Sequence, residues 1–151
     1  MSNDVIKGAD AIEIADRLRP VLLTMGRELR REVAPLGVTG GQASLLAAIH
    51  HSPGIGVRDL AELERMSAPG MSANLSRLER MGYVIRTRGT SGDRRRVGLT
   101  LSPDGEEMLQ RIRSLRTRWL AERLEGLSPA ELAAVDAAIE PLGQLLKKER
   151  R

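Results

Sequence analysis

A mostly helical α+β fold is predicted by three features of the sequence. Aromatic residues make up 1% of the chain, one Trp and one Tyr with no Phe, so Leu, Ala, Val, Ile and Met must fill the core. Such a core favours helices over a sheet sandwich. Apolar residues recur at helical spacing through most of the chain and alternate only in two short runs, 83–88 and 96–101. Capping residues punctuate the helical stretches. With 151 residues the chain is long enough for one domain with a real core and too short for two comfortable ones, so 1–151 is read as a single domain.

The first helix is expected over 9–34, where Ile12, Leu18, Leu22, Met25, Leu29 and Val33 fall near helical spacing and Pro20 marks a kink or a start. Thr39, with Gln42 three residues on, makes a capping box that opens a short helix through ASLLAAIHH. SPG at 52–54 is a turn. In VRDLAELERM, Val57, Leu60 and Leu63 lie three apart and predict a second short helix. In SAPGMSANLSRLERMG, Pro69 at the first position and Gly82 past the end bound a third, whose inward stripe is Met71, Leu75 and Leu78. YVIRTR and RVGLTL alternate as strands, with Val84, Val97, Leu99 and Leu101 as inward positions, and GTSGD between them is turn chemistry. Two short helices, a third helix and a hairpin, within 39–101, are the outline of a winged helix-turn-helix.

Two long helices are expected over 102–148. Ser102, Pro103 and Asp104 cap the first, and its stripe is Leu109, Ile112, Leu115, Trp119, Leu120 and Leu124. SPAE at 128–131 caps the second, in which Leu132, Val135, Ile139, Leu142 and Leu146 step by three and four residues. The first of the two spans about 24 residues, or ~36 Å. A small winged domain cannot cover so long an apolar stripe alone. A partner chain is implied, and 9–34 and 102–148 are read as dimerisation helices.

Charge is unevenly placed. Of 24 bases and 20 acids, eight Arg and two acids lie between Arg65 and Arg96, which leaves 16 bases and 18 acids for the rest of the chain. One fifth of the sequence therefore holds the whole positive excess, and all of it is Arg, the residue suited to forked contacts with phosphates and guanine edges. The densest part is SGDRRR, at the tip of the expected hairpin.

Other function classes find little support. The chain has no cysteine, which excludes disulfides, thiolate metal sites and cysteine redox sensing. His50 and His51 are the only histidines, adjacent and without metal-ligand spacing, and suit the negative end of their helix. No G-x-S-x-G, phosphate loop or H-E-x-x-H occurs, so neither catalysis nor a cofactor is expected. The start lacks the layout of a signal peptide and no apolar run reaches membrane length, so a cytoplasmic protein without membrane contact is expected.

The stretch VRDLAELERMSAPGMSANLSRLERMGYVIRTRGTSGDRRRVGLTLSPDG resembles the MarR family of bacterial transcription regulators in order and spacing. It holds a DLAEL helix, a recognition helix ending in LERMGYV, and a wing pattern D-R-R-x-x-x-V-x-L-S/T-x-x-G met by Asp93, Arg94, Arg95, Val97, Leu101, Ser102 and Gly105. The resemblance implies a homodimer that binds double-stranded DNA at a pseudo-palindrome, with recognition helices in successive major grooves and wings in the flanking minor grooves. It implies a repressor as the family default, and in many relatives release of DNA by a small aromatic or phenolic effector. A non-sensing architectural DNA-binding protein is the alternative.

The resemblance also assigns residues. Arg95 enters the minor groove and Asp93 holds it in place, while Arg94 and Arg96 lie along phosphates. A narrow groove concentrates negative potential, which suits an inserted guanidinium. On the recognition helix Ser72 and Ser76 bond bases or backbone, and Arg77 and Arg80 meet phosphates or a neighbouring base. Ala73 shares that face. Ser67 touches phosphate or caps the helix, Asn74 packs or contacts DNA, and Arg88 belongs with the basic set. Relatives often carry Arg or Thr where this chain has Ala73, and a larger residue where it has Gly70, so shape reading by the wings takes a larger share of specificity.

Overall fold

Thr39 and Gln42 form the predicted capping box: the Gln42 amide donates to Thr39 Oγ1 at 3.1 Å, and the Thr39 amide donates to Gln42 Oε1 at 3.0 Å. It starts helix α2, Gly40–His51. The computed structural model describes residues 8–88 and 97–147. Two compact units divide the chain, Met1–Arg116 and Thr117–Arg151.

In the first unit, α1 spans Gly8–Arg31 and runs through Pro20, so that residue does not start it. It stops three residues short of the expected end because Ala34–Leu36 wind into a 3-10 turn closed by Gly37 at φ 79°. Then come α2, β1 (Ile55–Gly56), α3 (Val57–Leu63), α4 (Ala68–Arg80), β2 (Val84–Arg88), β3 (Val97–Leu101) and the first part of α5 (Pro103–Leu124). One core joins the elements from α2 onward. Leu45, Leu46 and Ile49 of α2 meet Leu60 of α3, Met71, Leu75 and Leu78 of α4, Leu99 of β3 and Ile112 of α5, all fully buried or nearly so. The expected stripe of α4 is thus its buried face.

The sheet is antiparallel in the order β1-β3-β2, with Val84 opposite Leu101 and Arg88 opposite Val97. Strand β1 is an addition to the sequence reading, which placed only a turn before α3. Its closeness to β3 depends on Gly98, where an added Cβ would lie 2.7 Å from the Gly54 carbonyl oxygen. Of the four positions expected inward, Val84 and Leu99 are buried and Leu101 is half-buried, but Val97 is 37% exposed. Val97 pairs with exposed Arg88 at the far end of the ladder, two residues beyond Leu99, and lies outside the buried core cluster.

On α1 apolar residues are uncovered along much of the helix, with Ile12 73% exposed and Leu22 and Leu23 also open. In the second unit, α6 (Pro129–Gln144) is capped by Ser128 and Glu131 in the predicted reciprocal box, at 2.9 and 3.2 Å. Leu132, Val135 and Ile139 on α6 are exposed, Ile139 at 64%, and Leu142 is half-buried. The helix ends at Gln144, so Leu146, expected as the last member of the seam, lies past it. Trp119 of α5 is buried, with the Arg123 guanidinium 3.6 Å above its ring.

Candidate nucleic-acid interface

Ser67 is the N-cap of α4: its Oγ accepts from the Gly70 amide at 3.2 Å. Between its two expected roles the hydroxyl takes the cap, and its own proton stays available to an acceptor outside. Pro69 occupies the second helical position, one later than expected, and its missing N–H costs nothing in a first turn. Gly70 lets this cap form closely, since a Cβ there would stand 3.1 Å from Ser67 Oγ.

Opposite the buried stripe, Ser72, Ala73, Ser76, Arg77 and Arg80 are all exposed. At about 100° per residue they span roughly 140° of the helix surface, centred almost opposite Met71, Leu75 and Leu78. The Arg80 Nε donates back to the Ser76 carbonyl at 3.4 Å, which lays its stem along the helix. Asn74 lies between the two faces and donates to the Gly70 carbonyl at 3.0 Å, so its amide serves local packing.

Both helices of the helix-turn-helix end in the same way. After α4, the Gly82 amide bonds the Glu79 carbonyl and the Tyr83 amide bonds the Leu78 carbonyl, each at 3.0 Å, with Gly82 at φ 80°. After α3, the Arg65 amide bonds the Glu62 carbonyl at 3.3 Å and the Met66 amide bonds the Ala61 carbonyl at 3.0 Å, with Arg65 at φ 50°. The first turn was readable from its glycine. The second was not, because arginine stands where glycine normally signals it.

The wing base is tied to its surroundings at several points. The Ser102 amide donates to the Tyr83 carbonyl at 3.0 Å, the Ser102 hydroxyl donates to the Gly82 carbonyl, and the Gly105 amide donates to Ser102 Oγ at 3.0 Å. This is the physical content of the S-x-x-G at the end of the wing pattern. Arg86 of β2 pairs with Glu79 of α4, a strut from strand to recognition helix that sequence spacing did not suggest. Arg88 is exposed at the end of β2. Asp93, Arg94, Arg95 and Arg96, with most of the expected turn, lie outside the described residues.

Two further contacts connect the helices. His50 Nδ1 lies 2.7 Å from Glu106 Oε2, so the histidine expected only as a helix-end group also reaches α5. The Ser44 hydroxyl donates to Glu64 Oε2 at 2.6 Å. A crevice of about 340 Å³ opens beside α1, α2 and the middle of α5, lined by Arg30, Ser44, Ala47 and Arg116 among others. Arg116 donates to the Leu29 carbonyl at 3.0 Å, and burial first, then the nearby Arg30 charge, holds its guanidinium below the ordinary arginine range. Neither arginine has an acidic partner among the described residues.

The sequence profile of the MarR family matches residues 36–96. An HTH-type transcriptional regulator of Mycobacterium bovis is 30% identical over 118 residues, which span 78% of this chain and 82% of the relative. A crystal structure from Pseudomonas aeruginosa, described as that of a transcriptional regulator protein, shares the fold with a TM-score of 0.80 at 30% identity, over 95% of this chain and 100% of that one. A MarR family protein from Bacillus stearothermophilus shares it with a TM-score of 0.77 at 22% identity, over 94% of this chain and 99% of its own. A capped helix with a polar and cationic outer face, followed by a hairpin pinned at its base, is the winged helix of these proteins, and the chain belongs to the MarR family of DNA-binding transcriptional regulators.

Proposed function

We propose that the protein is a sequence-specific repressor that binds a pseudo-palindromic operator as a homodimer in the cytoplasm. The observation that carries this reading is the split of α4 into a fully buried apolar stripe and an exposed face of Ser72, Ala73, Ser76, Arg77 and Arg80. That face is small and polar, so it can approach base edges, and its cations sit toward the C-terminal half, where phosphates are met. Ser67 and Arg88 flank it. Arg94, Arg95 and Arg96 extend the contact into the minor groove and along its phosphates, with Asp93 positioning Arg95.

The open apolar residues of α1 and α6 support dimerisation. Ile12, Leu23 and Ile139 each expose more than half of their surface in the single chain, and a second copy removes that area from water. Two recognition helices would then lie ~34–36 Å apart, one turn of duplex. The crevice with Arg30 and Arg116 is where we place an effector: two guanidiniums with no acidic partner among the described residues favour a phenol or aromatic acid that brings negative charge.

The test is a titration of labelled duplex by fluorescence anisotropy at several salt concentrations. With about eight to ten phosphates neutralised per dimer, affinity falls by roughly 10³–10⁵ between 50 and 200 mM salt. Binding that ignores salt, or no binding in dilute buffer, contradicts the reading.

A further inference from the structure

Arg65 is the only non-glycine residue with positive φ among the described residues, at 50°. It closes α3 with the same pair of backbone bonds that Gly82 makes at the end of α4. Where folding alone sets the choice, glycine is the cheap residue at such a position, because a side chain there crowds the backbone. This chain holds an arginine instead, and its neighbours do not account for it. The side chain is exposed and makes no hydrogen bond or ion pair among the described residues. The acids beside it in sequence are engaged elsewhere, Glu62 with Arg58 at 3.8 Å and Glu64 with the Ser44 hydroxyl at 2.6 Å. An unfavourable backbone conformation whose side chain makes no hydrogen bond or ion pair among the described residues points to a function outside the chain.

We infer that Arg65 is a phosphate-binding residue of the helix-turn-helix, kept in a left-handed turn at a cost in stability. Its place supports this. It lies two residues before Ser67, the N-cap from which the exposed face of α4 begins, so an exposed guanidinium is carried on the turn that leads into the recognition helix. The fixed backbone limits where the side chain reaches, which lowers the ordering cost of a phosphate contact. Because the contact is to backbone phosphate, it adds affinity without sequence preference. The inference rests on the DNA-binding reading above.

The two effects of Arg65 have opposite signs, and that makes them separable. In Arg65→Gly, and in Arg65→Asn, which tolerates the same backbone, the thermal midpoint holds or rises by roughly 2–4 °C. Both variants lose about fivefold or more in affinity for a random-sequence duplex of about 40 base pairs in dilute salt, and the slope of log affinity against log salt shallows by about 1.8 per dimer, 0.9 for each lost phosphate. Arg65→Lys keeps most of the slope. If the wild-type protein binds this duplex and both uncharged variants match it in affinity and slope, the inference falls while the DNA-binding reading stands. If the wild-type protein binds no duplex, both fall.

Discussion

Gly105 stands so close under Tyr83 that no side chain fits: an added Cβ would lie 2.1 Å from the Tyr83 carbonyl oxygen. The same carbonyl accepts the Ser102 amide at 3.0 Å, so one peptide holds both the end of β3 and the first turn of α5. Gly105→Ala must therefore push the wing base away from α5. We expect a loss of about 1–3 kcal/mol in urea unfolding. Gly143→Ala, in a helix with nothing within 4 Å of the added Cβ, serves as the control and should be neutral or mildly stabilising. Equal behaviour of the two variants would show that the close approach is unimportant.

Arg95→Ala removes the guanidinium that our reading inserts into the minor groove. It should weaken duplex binding by about tenfold or more, a loss of roughly 1.4 kcal/mol. Helical content by circular dichroism and the mass of the dimer should not change. An unaltered affinity in a gel-shift titration removes Arg95 from the interface.

On α6, Leu132 and Ile139 are exposed in the single chain, so a charge there costs the folded protomer little. Buried in a dimer, two glutamates would face desolvation and each other. The double variant Leu132→Glu, Ile139→Glu should therefore run as a folded monomer in sedimentation. A dimer of normal strength would move the interface elsewhere.

Glu131 titrates with its cap. The bond from the Ser128 amide, then the bond to the Ser128 side chain, holds its carboxyl below the usual glutamate range. A depressed folded pKa means the stabilisation is full above the unfolded value, near about 4.3, and is lost as pH falls through the folded one. Below about pH 4 the first turn of α6 should fray, seen as a loss of helical ellipticity relative to neutral pH. Glu131→Gln keeps the amide-accepting oxygen without the charge, and the part of the acid loss due to this group should vanish. The same loss in both proteins would place its cause elsewhere.

The helices were legible in the sequence because each carries a period and a cap of its own. Met71, Leu75 and Leu78 announce the buried side of α4, while Thr39 with Gln42 and Ser128 with Glu131 announce helix starts through bonds made within four residues. What sequence could not show was set by partners far along the chain. Strand β1 is two residues long, too short for any alternation, and exists because Gly98 lets Gly54 approach. The Arg86–Glu79 strut and the His50–Glu106 contact join residues that only the folded chain brings together. Arg65 was counted in the cationic stretch, but its turn was hidden, because an arginine does the work that glycine usually advertises. The exposed face of α4 followed from the stripe on its other side, whereas the roles given to Asp93 and Arg94–Arg96 came from the spacing of a motif.

Selection of bound duplex from a random pool, with the mass of the complex measured on the enriched sequence, tests the central claim most directly. The account predicts an enriched pseudo-palindrome whose half-site centres lie about 10 base pairs apart, held by two chains. A pool that returns unenriched, or a lone half-site held by one chain, would contradict it.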